Sequence, residues 1–248
     1  MNRKIAAAAT ACLTLAAMNP ALAQHHHWGY SGEGAPEHWG ELDPEFATCA
    51  TGKSQSPIDL GKPTKDHLKP VHFHYKKGTT EILNNGHTVQ VNYQPGSSVT
   101  VDDRSFELEQ FHFHAPSENT FNGKHFPLEA HLVHADKDGN LAVVAVMFSE
   151  GPANPLLASL WKMMPGKEGE TNALTHPLSA AGMLPAERHY YRFTGSLTTP
   201  PCSEGVRWLV VQKPVTASKA QIDAFTKAVG FPNNRPLQAL NARQVLSQ

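Results

Sequence analysis

The 248-residue chain carries 21 Lys and Arg against 22 Asp and Glu, a formal net charge of −1, which implies no basic face of the kind nucleic acid requires. Beyond the first two dozen residues no stretch approaches the ~20 consecutive apolar residues of a membrane-spanning helix. No repeat, linker or low-complexity tract divides the chain, so one sizeable domain is expected.

Residues 1–23 have the form of a secretory signal peptide: Arg3 and Lys4 start it, Ile5 to Ala17 is apolar, and Ala21-Leu22-Ala23 offers a small-residue cleavage site. The remaining domain then spans residues 24–248, in the periplasm or outside the cell, and the net charge goes from −1 to −3 because Arg3 and Lys4 leave with no acid. Of the three cysteines, Cys12 leaves too. Cys49 and Cys202 are an even pair in an oxidising compartment, which invites one disulfide, with two buried thiols as the alternative. His25, His26 and His27 either chelate a metal at the new amino terminus or are simply solvated. Trp28, Tyr30 and Trp39, among Gly and Pro, read as an irregular segment pinned to the body by its aromatic rings.

From residue 56 onward the pattern is one of strands: Ile82-Leu83, Thr88–Tyr93, Ser98–Val101, Ser105–His114, Glu129–His134, Leu141–Phe148, Tyr190–Gly195 and Val206–Gln212. Their short connections favour antiparallel pairing. Two helices are expected, at Asn154–Met164 and Ser218–Val229, the second with a Ser218/Gln221 capping box and Gly230 as its stop. The fold class is mainly β, a large and mostly antiparallel twisted sheet with peripheral helices.

The chemistry concentrates in Gln110-Phe111-His112-Phe113-His114 and Glu129-Ala130-His131. Strand alternation puts His112 and His114 on one face and the two Phe on the other. Asn122-Gly123 favours a hairpin turn, which would bring the strand with His131 alongside. Three neutral imidazoles at one point make a zinc site with one open position. His72-Phe73-His74 has the same spacing among 15 His, but there no polar residue shares the strand face. Gln110 and Glu129, each two residues before a His, can orient the imidazoles. His134, three residues past His131, falls on the opposite face.

These segments, with Gln55-Ser56-Pro57-Ile58, Asn84-Asn85-Gly86-His87 and Ser196-Leu197-Thr198-Thr199-Pro200-Pro201, resemble an α-class carbonic anhydrase of bacterial secreted type. The resemblance runs in order from Trp28 to Arg243. It implies one Zn²⁺ per chain on His112, His114 and His131, oriented by Gln110, the Asn233 carbonyl and Glu129, respectively. It also implies the Cys49–Cys202 disulfide and a cis bond before Pro201. Thr198 would take a hydrogen bond from the reacting oxygen and donate its own to Glu118. Val133, Val143, Leu197, Val206 and Trp208 would form an apolar wall for CO2, with Thr199 beside them. His87 would be the proton shuttle, with Tyr30, Asn85 and Gln90 ordering water. The implied reaction is reversible hydration of CO2 to bicarbonate, with anions and sulfonamides as inhibitors; a homodimer stays open. The rival reading is an inactive carbonic-anhydrase-like zinc or ligand-binding protein, and such relatives typically lack one of the three His.

Overall fold

The computed structural model describes residues 27–248, so the signal peptide, Cys12, His25 and His26 lie outside the described residues. The fold is built on a 13-stranded sheet. Its main path runs Thr64–Lys65, Leu246–Ser247, Tyr190–Ser196, Glu204–Val211, Leu141–Glu150, Leu128–Ala135, Arg104–His114, Val89–Tyr93, Thr79–Asn84, Thr171–Ala173. Every strand expected from the sequence is present, with ends moved by a few residues. Those not called are short: Thr64–Lys65, Thr171–Ala173, Val215–Ala217 and Leu246–Ser247 have too few residues for an alternation to show.

Most pairings are antiparallel, as expected, yet the sheet is mixed. Glu204–Val211 and Val215–Ala217 both run parallel to Leu141–Glu150, and Thr64–Lys65 runs parallel to Leu246–Ser247. Partners this far apart in the chain need no tight hairpin, so nothing forces them antiparallel. The central strand Leu128–Ala135 is buried from Leu128 to His134. Both faces of the sheet are therefore covered there. One face packs Phe111, Phe113, Leu132, Val144, Phe148 and Phe225. The other packs Val133, Val143, Phe193, Val206 and Trp208.

The helix Lys219–Val229 carries the expected capping box at Ser218 and Gln221, and Gly230 closes it at φ 87°, a left-handed position that suits glycine. The other helix is shorter than expected, Pro155–Leu160. Asn154 caps its start, accepting hydrogen bonds from the amides of Leu156 and Leu157. Trp161 closes it, its amide donating to the Leu157 carbonyl at 2.8 Å. Cys49 and Cys202 form a disulfide across 153 residues. Loop-closure entropy makes such a bridge worth roughly 4–5 kcal/mol. Among the described residues no helix is long and apolar enough to cross a membrane.

His134 does lie away from the His112 cluster, completely buried. Its Nδ1–H donates to the Ala142 carbonyl at 3.2 Å, so Nε2 accepts from the Tyr75 hydroxyl at 2.8 Å. Burial pushes its pKa down to about 4, against the pull of its hydrogen bonds to Ala142 and Leu132. An unfolded His protonates near 6.5. The folded state therefore keeps its full stability from this group above pH 6.5 and loses it as pH falls to 4, by about 3 kcal/mol in all. We expect His134→Gln to lose stability less steeply than the parent over that window in urea unfolding. Parallel pH slopes for the two proteins would contradict this.

Candidate active site

The register of two strands assembles the site. His112 on Arg104–His114 sits opposite His131 on Leu128–Ala135, so alternation brings His114 to the same face. The connection between these strands is turned by Asn122 (φ 52°) and Gly123 (φ 72°), with Phe121 and Lys124 exchanging backbone hydrogen bonds at 3.1 and 3.2 Å. That is the two-residue turn whose twist suits a hairpin. The ring centroids of His112, His114 and His131 are 4.6 to 5.4 Å apart, and their ligand atoms lie within 4.8 Å of one another. Phe111 and Phe113 point the other way and are completely buried. His72 and His74 stand exposed on their own short strand.

Each imidazole has an acceptor on its outer side. Gln110 Oε1 is 2.8 Å from His112 Nδ1, and the Asn233 carbonyl is 2.7 Å from His114 Nδ1. Glu129 Oε1 is 2.9 Å from His131 Nε2, though off the ideal hydrogen-bond line. Because these oxygens only accept, the facing nitrogens carry the protons and the remaining three present lone pairs inward. His114 Nε2 is buried without any protein partner. An orphaned inward lone pair of this kind is what a metal ion satisfies. Burial, helped by mutual repulsion, holds His112 and His131 well below the ordinary imidazole range. It lowers His114 as well, against the Asn233 hydrogen bond. All three stay neutral and able to bind a metal.

Glu129 is itself held by three donors: the Glu118 amide at 2.6 Å, the Asn119 amide at 3.0 Å and the Asn119 side chain at 2.8 Å. Burial pushes its carboxyl up to about 6 against these donors. Glu118 is also completely buried; one oxygen accepts from the Arg235 amide at 2.9 Å, the other lies 3.6 Å from His114 Nε2 and 3.8 Å from His131 Nδ1. Burial raises it to about 8. A cation among the imidazoles would draw it back toward the charged form. The Thr198 hydroxyl also favours that form, although the inner oxygen has no hydrogen-bond partner of good geometry. Thr198 precedes Thr199 and the cis Pro200-Pro201 bond, in the loop that ends at the Cys202 disulfide.

A cavity of about 140 Å³ leads out past Thr199, Gln90, Asn85, His87, Tyr30 and Trp28. Asn85 Oδ1 accepts from the amides of His87 and Thr88, so its carbonyl oxygen shapes the turn. The His87 ring lies flat on Trp28, centroids 3.7 Å apart and planes 9° apart. Burial lowers its pKa, His27 lowers it further, and Glu168 raises it. Val133, Val143, Leu197, Val206 and Trp208 cluster together, with the Trp208 ring 4.9 Å from His131; none of them lines the outer cavity.

Two residues escape a reading of the sequence. Asn119 fastens Glu129, and its Oδ1 accepts the Ile58 amide at 3.2 Å. Arg235, only 2% exposed, donates to Gln55 Oε1 and to the carbonyls of Ser56 and Cys49 at 2.8 to 3.0 Å. Neither sits in a spacing that announces a role; Arg235 is an isolated cation in a Pro- and Asn-rich stretch.

Removing one orienting acceptor tests the arrangement. We expect Gln110→Ala to weaken metal binding about tenfold, the low end for a partner that orients a ligand. Competition against a chromophoric chelator measures it, and an unchanged affinity would contradict the orienting role.

Residues 34–248 match the family described as eukaryotic-type carbonic anhydrase. The chain is 50% identical over 220 residues to a carbonic anhydrase of Pectobacterium carotovorum, covering 89% of this chain and 90% of the relative. It is 48% identical over 223 residues to one of Neisseria gonorrhoeae, covering 90% and 88%. The α-carbonic anhydrase of Thermovibrio ammonificans, solved with the inhibitor sulfanilamide, matches at TM-score 0.88 and 51% identity over 89% of this chain and 99% of that one. With two strands presenting three neutral imidazoles, and these relatives matching nearly end to end, the chain belongs to the eukaryotic-type (α-class) carbonic anhydrase family.

Proposed function

We propose that this protein is a zinc enzyme that interconverts CO2 and bicarbonate. The observation that carries the reading is the inward ring of three neutral imidazoles, each backed by an acceptor, with His114 Nε2 lacking any protein partner. The set fits one Zn²⁺: nitrogen ligands, three in number, His114 and His131 buried and His112 half-buried, with room for a fourth partner. When bound there, zinc supplies an activated water at neutral pH.

The chain's own residues do the rest. Gln110, Asn233 and Glu129 fix which nitrogen of each ligand faces inward. Once ionised, Glu118 can only accept a hydrogen bond, so the Thr198 hydroxyl donates to it and turns its lone pairs toward the reacting oxygen. Thr198 thereby favours groups that still carry a proton. Val133, Val143, Leu197, Val206 and Trp208 offer CO2 an apolar wall beside the metal, and Thr199 borders it. His87 takes up the proton released in each turnover and relays it to solvent, a task suited to imidazole. Tyr30, Asn85 and Gln90 order the water between.

Residues 1–23 serve as an export leader and 24–248 as one catalytic domain in the periplasm or beyond the cell; the disulfide supports an oxidising compartment. Sulfonamides and small anions are the expected inhibitors at the open metal position, supported by sulfanilamide in the Thermovibrio relative. The alternative of a binding protein without activity finds no support, since all three imidazoles, Thr198 and Glu118 are present. Stopped-flow CO2 hydration with a pH indicator tests the proposal. Zinc-loaded, folded protein should far outpace buffer, and the rate should vanish with a zinc-binding sulfonamide. A rate no better than buffer would overturn the enzyme reading.

A further inference from the structure

We propose that His27 is an outer station of the proton path, receiving the proton that His87 carries from the cavity and handing it to buffer; this rests on the reading of His87 as the relay. Its ring centroid lies 5.4 Å from that of His87, with the planes 30° apart, while its neighbour Trp28 stacks on the same His87 ring. Two consecutive residues thus lie against one imidazole. His27 is exposed, so a proton reaching it meets solvent directly.

The backbone is fixed just beyond His27 and Trp28. A Cβ at Gly34 would come within 2.9 Å of the His27 carbonyl, so the chain passes that close to Gly34. The buried Trp39 donates its indole N–H between the carbonyls of Gly29 and Gly34, 2.9 Å from each, and the Gly29 amide donates to the Gly34 carbonyl at 2.7 Å. The segment bearing His27 and Trp28 is closed on itself just after the two rings.

An imidazole N–H lies in its ring plane, so nearly parallel rings do not aim their N–H bonds at each other. Transfer between them runs through water at the ring edges. One N–H bond breaks on His87 and one forms on His27; a single positive charge moves outward and no electron changes hands. His27 then loses the proton to a buffer base. The charged and titratable groups facing His87 are His27 and Glu168. The Glu168 carboxylate sits against the turn, 2.5 Å from where a Cβ on Gly86 would stand. It steadies a proton on His87, whereas a charge on His27 opposes one.

The test uses the mature, zinc-loaded protein with His27→Gln, His87→Ala and the double variant. In weak buffer His27→Gln should lower kcat several-fold and leave kcat/KM alone, with the loss erased by concentrated imidazole. The double variant should be no slower than His87→Ala. By NMR, the His87 titration midpoint should move up in His27→Gln, because a neighbouring positive charge is gone. An unaltered weak-buffer kcat, or an unmoved midpoint, in His27→Gln overturns the outer station. If His87→Ala matches the parent in weak buffer, the relay itself fails and this proposal falls with it.

Discussion

Three imidazoles can share a buried point only if none is charged, and the rest of this site follows from that constraint. Burial keeps them neutral by penalising the imidazolium. Neutrality alone would still leave each ring two tautomers. Gln110 and the Asn233 carbonyl remove that freedom at His112 and His114 by claiming one nitrogen apiece, and Glu129 stands 2.9 Å from one nitrogen of His131, off the hydrogen-bond line. A buried carboxylate such as Glu129 then needs donors of its own, which come from the Glu118 and Asn119 amides and the Asn119 side chain.

The chain of requirements continues outward. Glu118 takes the Arg235 amide, and the Arg235 guanidinium is tied to Gln55, Ser56 and Cys49. Cys49 is bonded to Cys202, at the end of the loop carrying Thr198. The disulfide, the arginine and the buried acid thus brace the three imidazoles from one side, while the sheet braces them from the other. Asn233 joins the two halves: its carbonyl meets His114, and its side chain donates to the carbonyls of Phe113 and His87 at 2.9 and 3.0 Å. The base of the site and its mouth hang on one residue.

What the sequence made legible is local. His112 and His114 are readable because alternation is a property of two adjacent peptide units, and the Asn122-Gly123 turn and the Ser218/Gln221 box depend on residues three apart at most. The choice of His112 over His72 rested on neighbours, Gln110 and Glu129, which do contact the rings. What stayed hidden is long-range. The parallel partners of Leu141–Glu150 begin more than fifty residues downstream, and no periodicity encodes that pairing. Asn119 and Arg235 matter through contacts with residues about 60 and 180 positions away, which a spacing rule cannot carry. The His27 ring looked like one of three solvated end groups, and only the folded chain sets it on His87.

The central claim is that one zinc on His112, His114 and His131 makes the chemistry possible. The direct measurement is a titration of metal-free protein with zinc, following CO2 hydration at each addition. Activity should rise linearly from the buffer rate and stop at one equivalent per chain, with no rise in His131→Ala at the same concentrations. Full activity before any zinc is added, or an unchanged titration in His131→Ala, would contradict the account.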